Sequence, residues 1–177
     1  MPNFGKVIAC FKQMDFKPKL SSFQDRLVIQ KTVFLLEKMG VKTGFAFGLY
    51  VHGPYSPELA DYAFAHQEEL NAQETREKLG RKERGETVLV KELISKPKLL
   101  EIAATYLCLR QDCKLSEDDA VSKLKELKPY FSESDFVVGI SKAKELTFRP
   151  TKEELREIRK ETALWDRLSD EAWAKIE

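Results

Sequence analysis

The sequence predicts a mainly α-helical protein with a small β element, and three observations lead to that prediction. Apolar residues recur at spacings of three and four along most of the 177 residues. Capping residues precede several of these stretches, and proline or glycine ends others. One stretch, from Phe45 to Val51, instead alternates with the period of two that is typical of a strand. We therefore expect one compact domain over residues 1–150 with one or two short strands, and a helical extension over residues 151–177 packed on it.

The first two helices are indicated by their apolar patterns. Helix one is expected from Asn3 to about Phe16. Helix two opens at Ser21 or Ser22 and ends before Gly40, which suits the left-handed position after a helix. Its residues 33–36 are apolar all round, which predicts a central, buried helix.

A strand and a tight corner follow the second helix. Phe45, Phe47, Leu49 and Val51 share one predicted strand face. Gly53 can adopt a positive φ, and Pro54 restricts the next φ to about −65°. Ser56 is placed to cap a third helix that begins at Pro57 and runs to about Leu70.

The next segment, residues 71–85, is polar and contains one large apolar residue, Leu79. It predicts a mobile polar loop or a frayed helix. Residues 87–90 fit either a short strand or the beginning of a helix.

The remaining helices are predicted from their first residues. Pro97 suits the first position of a strongly apolar helix that reaches Leu109. Capping pairs that start three further helices are Ser116 with Asp119, Ser132 with Asp135, and Thr151 with Glu154.

Composition restricts the class of protein. The formal net charge is +1, and no apolar run approaches the roughly 20 residues that span a bilayer. Without a recognisable signal peptide, a cytoplasmic protein with no membrane association is expected. Cys10, Cys108 and Cys113 lack zinc-site spacing and predict buried, reduced thiols, so no metal and no cofactor are expected.

No residue set predicts catalysis. The two histidines are His52 and His66, and a hydrolase would need His52 beside a carboxylate and a nucleophile such as Ser56. Ser56 is already explained as a helix cap, which directs its hydroxyl into its own helix. We therefore expect a protein that is not an enzyme.

A family resemblance rests on two segments. Residues 26–36 contain Gln30-Lys31 in the pattern L-x-x-Q-K-x-x-F-L, and residues 47–60 contain Gly53-Pro54-Tyr55-Ser56-Pro57. Over roughly residues 20–147 the chain resembles the YwgA-like proteins of bacteria and archaea, and more distantly the Panacea (SocA-like) antitoxin domain. Two positions differ from the family pattern. Phe34 stands where the family usually has tyrosine, and His52 stands where the family often has an aromatic residue before Gly-Pro.

The resemblance implies a compact, winged-helix-like domain that binds a protein partner, as an antitoxin or adaptor does. That partner would be toxin-like or protease-substrate-like. The expected contact surface consists of Tyr50, His52, Gly53, Pro54, Tyr55 and Ser56. A homodimer is a further expectation, since Trp165 and Trp173 could dock on a second subunit.

The alternative is a nucleic-acid-binding transcriptional regulator of winged-helix type. Arginine and glutamine suit base edges, and basic residues suit phosphates. The residues expected to serve it are Arg26, Gln30, Lys31, Arg76, Arg81, Lys82 and Arg84. Glutamates 77, 83 and 86 interleave with the later basic residues and weaken the local field, and a solvated helix face is the commoner explanation of the earlier ones.

Overall fold

The computed structural model describes residues 1–173, with side chains described to residue 163. The described residues form nine α-helices, one short π-helix and one two-stranded sheet. In chain order these are α1 (Phe4–Gln13), α2 (Phe23–Lys38), β1 (Gly48–Tyr50), β2 (Gly53–Tyr55), α3 (Pro57–Ala65), α4 (Gln67–Ala72), α5 (Arg81–Ile94), α6 (Pro97–Leu107), the π-helix (Cys108–Asp112), α7 (Glu117–Leu127), α8 (Glu133–Thr147) and α9 (Lys152–Trp173). The prediction of a mainly α protein with a small β element is confirmed; winged-helix likeness stays a prediction.

The chain divides into two compact units, Met1–Thr147 and a second that begins at Phe148. The hydrophobic core that the described side chains form lies in the first unit, and the second contains α9. The packing of the second unit on the first stays a prediction. The expected dimer contacts of Trp165 and Trp173 concern side chains outside the described ones.

The core is built around α2 and α6. Ten consecutive residues of α2, from Leu27 to Leu36, are buried, which confirms the prediction of a central helix. In α6 the buried run extends from Leu100 to Leu107, and α8 packs closely along it. A Cβ atom at Gly139 of α8 would lie 2.5 Å from the Ile102 side chain, so this helix pair requires glycine there.

The β element is a hairpin rather than the expected single strand followed by a turn. β1 pairs antiparallel with β2, with Gly48 opposite Tyr55 and Tyr50 opposite Gly53. Phe45 is buried, whereas Leu49 and Val51 are exposed, so the predicted apolar face is wrong beyond residue 47. The aromatic rings before β1, those of Phe45 and Phe47, pack on Tyr62 and Phe34. The two-stranded hairpin extends beyond these contacts, so its apolar side chains stay exposed.

Two helix boundaries also differ from the expectation. The third helix ends at Ala65, because His66 leaves helical geometry with ψ 34°, and α4 begins at Gln67. Residues 81–94 form α5, which agrees with the helical alternatives for residues 81–85 and 87–90; the loop at 81–85 and the strand at 87–90 are wrong. Glu83 accepts a hydrogen bond from the Gly80 backbone N–H at 2.8 Å and pairs with Lys6 at 2.8 Å.

Side-chain hydrogen bonds join the loop between α4 and α5 to α1 and to the residues that follow α1. Gln73 Nε2 donates to the Phe16 carbonyl, and Thr75 Oγ1 donates to the Gly5 carbonyl, each at 2.9 Å.

The three cysteines are free thiols. Burial raises the pKa of Cys10 to about 11 and that of Cys108 to about 12. Cys113 is exposed, which corrects the expectation of three buried thiols.

Candidate functional site

The hairpin and the start of α3, residues 48–56, form a corner whose backbone requires glycine at one position. Gly53 has φ +87°, a conformation that other residues adopt only with strain. A Cβ atom there would lie 2.1 Å from Thr105 Oγ1 of α6. The close approach of the hairpin to α6 therefore depends on Gly53 twice, through its φ and through its missing side chain.

Gln30 of α2 binds both backbone groups of Ser56. Its Nε2 donates to the Ser56 carbonyl at 3.0 Å, and its Oε1 accepts from the Ser56 N–H at 2.8 Å. The Ser56 hydroxyl accepts from the Leu59 N–H at 3.2 Å, which confirms the predicted cap of α3. Gln30 thereby fixes the point at which the hairpin joins α3.

Lys31, the next residue of α2, is buried and donates from Nζ to the Pro54 carbonyl at 2.7 Å. Burial lowers the pKa of the Lys31 ammonium group to about 7 because charge is costly away from water. The carboxylate of Glu101 acts in the opposite direction and raises this pKa, whereas Lys128 lowers it further. Lys31 thus binds the corner through a neutral carbonyl rather than through an acid.

Glu101 and Lys128 form a buried ion pair beneath the turn. Lys128 Nζ lies 2.5 Å from Glu101 Oε1 and donates to the Val51 carbonyl at 3.1 Å. The side chains are 0% and 9% exposed. Removing one member of such a pair leaves an uncompensated buried charge. We call Gln30, Lys31, Glu101 and Lys128 the buried polar cluster; three of its members hydrogen-bond the corner backbone directly, and Glu101 holds Lys128.

The opposite side of the corner is apolar and exposed. Val51 is 79% exposed and Tyr50 52%, and Phe23 at the start of α2 is 56% exposed. The Phe23 and His52 rings are 5.4 Å apart, as are those of Tyr50 and Tyr55. We call Phe23, Leu49, Tyr50, Val51 and His52 the hairpin tip.

The structure separates the predicted partner-binding residues into two groups. Tyr50 and His52 are exposed, and Tyr55 is half-buried. Gly53, Pro54 and Ser56 are buried, so they shape the corner and do not form its outer surface.

The predicted nucleic-acid contacts are also divided. Gln30 and Lys31 are 4% and 2% exposed and bind the corner backbone, which corrects their expected place on an open helix face. Arg26 donates to the Leu20 carbonyl at 2.6 Å, with its Cζ 5.8 Å from the centre of the Phe23 ring. The exposed basic residues of the later group are Arg76, Arg81, Lys82 and Arg84.

The residues considered for hydrolysis are engaged elsewhere. His52 Nδ1 lies 3.9 Å from Glu101 Oε1, beyond hydrogen-bond distance, and that oxygen accepts from Lys128 instead. Ser56 is fully buried with its hydroxyl at the α3 cap.

The described residues contain no group of three or more metal-ligating side chains. None of their helices has the length and apolar character needed to cross a membrane.

Sequence reasoning did not identify Glu101, Thr105 or Lys128 as part of this site. Glu101 is the one acid in the apolar stretch from Leu99 to Leu109, which was a signal that it has a buried partner. Lys128 is 27 residues further along, and nothing local marks it as that partner.

No family model, curated protein or solved structure matches this chain. The YwgA-like and Panacea resemblance therefore stays a prediction.

Proposed function

We propose that the protein is a non-enzymatic protein-interaction module, antitoxin- or adaptor-like, that binds a partner protein through the hairpin tip. The observation behind this proposal is that apolar and aromatic side chains stand exposed on a backbone held from beneath by buried polar side chains. A toxin-like or protease-substrate-like partner, which the family resemblance implies, belongs to the same proposal.

The cost of binding supports this choice of surface. Ordering a loop on association lowers affinity, and a preorganised loop avoids that loss. Here Val51, Pro54 and Ser56 each have a backbone carbonyl bound by a buried side chain. Exposed aromatic and apolar side chains on such a support have the composition of interface centres.

Affinity capture with a matched control tests the proposal. Tagged full-length chain and its Val51→Ser and Val137→Ser variants are each used to retain proteins from an extract of the expressing cells. Val137, in α8, is a similarly exposed valine at 67% against 79% for Val51, so both variants remove comparable exposed surface. We expect a partner that is retained by the wild type and by Val137→Ser and is lost with Val51→Ser. Identical retention by all three proteins would refute the assignment of the tip.

A nucleic-acid-binding regulator remains the alternative proposal, because Arg76, Arg81, Lys82 and Arg84 are exposed. Binding through phosphates weakens steeply as salt rises. A gel-shift assay against mixed genomic DNA at low and high salt distinguishes the two proposals. Salt-sensitive retardation that is lost with Arg81→Gln and Lys82→Gln would favour the regulator, and no retardation would remove it.

A further inference from the structure

We infer that the hairpin tip recognises an acidic peptide segment of the partner, in which a carboxylate lies next to an apolar side chain. This inference rests on the proposed function and adds the chemistry of the partner. It follows from the charge of Arg26 beside the tip and from the side chains that surround Phe23.

Phe23 contacts two side chains that suit a carboxylate. The Arg26 Cζ lies 5.8 Å from the centre of the Phe23 ring, and the His52 ring centre lies 5.4 Å from it. An apolar side chain seated on exposed Phe23 therefore brings its sequence neighbours close to a guanidinium and an imidazole. Arginine binds carboxylates through paired N–H groups, and a histidine N–H adds a further donor.

The buried polar cluster adds no net negative charge beneath the same surface. The carboxylate of Glu101 is paired with the Lys128 ammonium group through its Oε1 oxygen. Arg26, beside the tip, interacts with the Phe23 ring and a carbonyl rather than with an acid in any contact described. Its guanidinium charge therefore favours an approaching anion.

The acid nearest in sequence, Asp25, is engaged by a backbone group. Asp25 Oδ2 accepts a hydrogen bond from the Lys19 backbone N–H at 2.7 Å, on the N-terminal side of α2. Asp25 also lies in the first turn of α2, where the helix dipole offsets negative charge. It is held by local contacts and leaves Arg26 open to a carboxylate of the partner.

Selection from a library of random peptides displayed on phage tests the inference. The purified full-length chain is the target, and Val51→Ser is the counter-target, with thermal unfolding used to verify that the variant is folded. We expect enriched peptides that depend on Val51 and contain Asp or Glu beside an aromatic or aliphatic residue. Replacing that acid by its amide should weaken binding, and so should raising the salt concentration.

Two other results of the selection would each overturn the inference. Peptides that depend on Val51 but lack acids would overturn the inference and leave the proposed function standing. Selection of no Val51-dependent peptide would overturn the inference as well, and the capture experiment above then decides the proposed function separately.

A second variant tests the role of Arg26 in binding. Arg26→Gln removes the guanidinium charge, and we expect the selected acidic peptides to bind about two- to fivefold more weakly. Lys12→Gln, which removes an exposed cation on α1, is the control and should leave the affinity unchanged. Equal affinities for wild type and Arg26→Gln would contradict the inferred carboxylate contact.

Discussion

Single residues set the shape of the corner because each performs a task that few side chains can perform. Gly53 combines a positive φ with contact against Thr105. Gln30 offers a donor and an acceptor that match the carbonyl and the N–H of a single residue, Ser56. Lys31 spans from α2 to the carbonyl of Pro54 in β2.

Replacement of Gly53 by alanine should be more destabilising than the same change at Gly40. Both glycines have a positive φ, +87° at Gly53 and +96° at Gly40, so alanine at either position costs about 1–2 kcal/mol in backbone strain. A Cβ at Gly40 meets nothing within 4 Å, whereas one at Gly53 meets Thr105 at 2.1 Å. Urea unfolding of the two variants measures the difference, which isolates the contact with α6. Equal losses would mean that the hairpin moves away from α6 at no cost.

The lowered pKa of Lys31 predicts a pH dependence of stability. Between pH 7 and 10.5 the unfolded Lys31 is protonated while the folded one is largely neutral. The unfolded state then binds more protons, so this residue makes the free energy of unfolding rise with pH across that window and adds no slope below it. Lys31→Met should lose that part of the slope, as measured by urea unfolding at several pH values. Superimposable pH profiles for wild type and variant would contradict the assignment.

At the scale of elements, the close contact of α6 with α8 organises the second half of the core. Gly139 lets α8 approach Ile102, and the buried residues of α8 recur at spacings of three and four along the helix. Glycine in a helix is otherwise unfavourable, which makes its presence in α8 informative.

Two glycine-to-alanine changes in helices should therefore have opposite signs. Gly139→Ala places a Cβ 2.5 Å from Ile102 Cγ2 and should lower the unfolding temperature by forcing α6 and α8 apart. Gly85→Ala in α5 meets nothing within 4 Å and should raise stability by about 0.5–1 kcal/mol. Calorimetric or circular-dichroism melting of both variants provides the measurement. Stabilisation by Gly139→Ala would refute the close packing of the pair.

At the scale of the molecule, the hydrophobic core that the described side chains form lies within the first unit. The cluster begins at Phe4 and ends at Leu146. This unit also holds the hairpin tip and the whole buried polar cluster.

The chain of residues 1–147 should therefore fold by itself. We expect a single cooperative unfolding transition in the shortened chain, because the core that the described side chains form, from Phe4 to Leu146, is kept whole. Circular dichroism of the shortened and full-length chains makes the comparison. A large loss of stability would instead support the predicted packing of the C-terminal extension on the domain.

The sequence by itself determined most of the helices, several of their caps and the place of the corner. These features depend on neighbours three or four residues apart: the period of α2, the Ser22, Ser56 and Ser116 caps, and the positive φ of Gly40 and Gly53. Local chemistry of this kind is visible in a single sequence.

Only the tertiary structure decided which side chains meet at the corner. Lys128 reaches a carbonyl 77 residues away, and the burial of Gln30 and Lys31 follows from the hairpin that folds over α2. The same is true of α5, whose first turn is secured by Lys6 of α1. The physical reason is that pairing across long chain separations depends on how whole helices pack, and no local pattern encodes it.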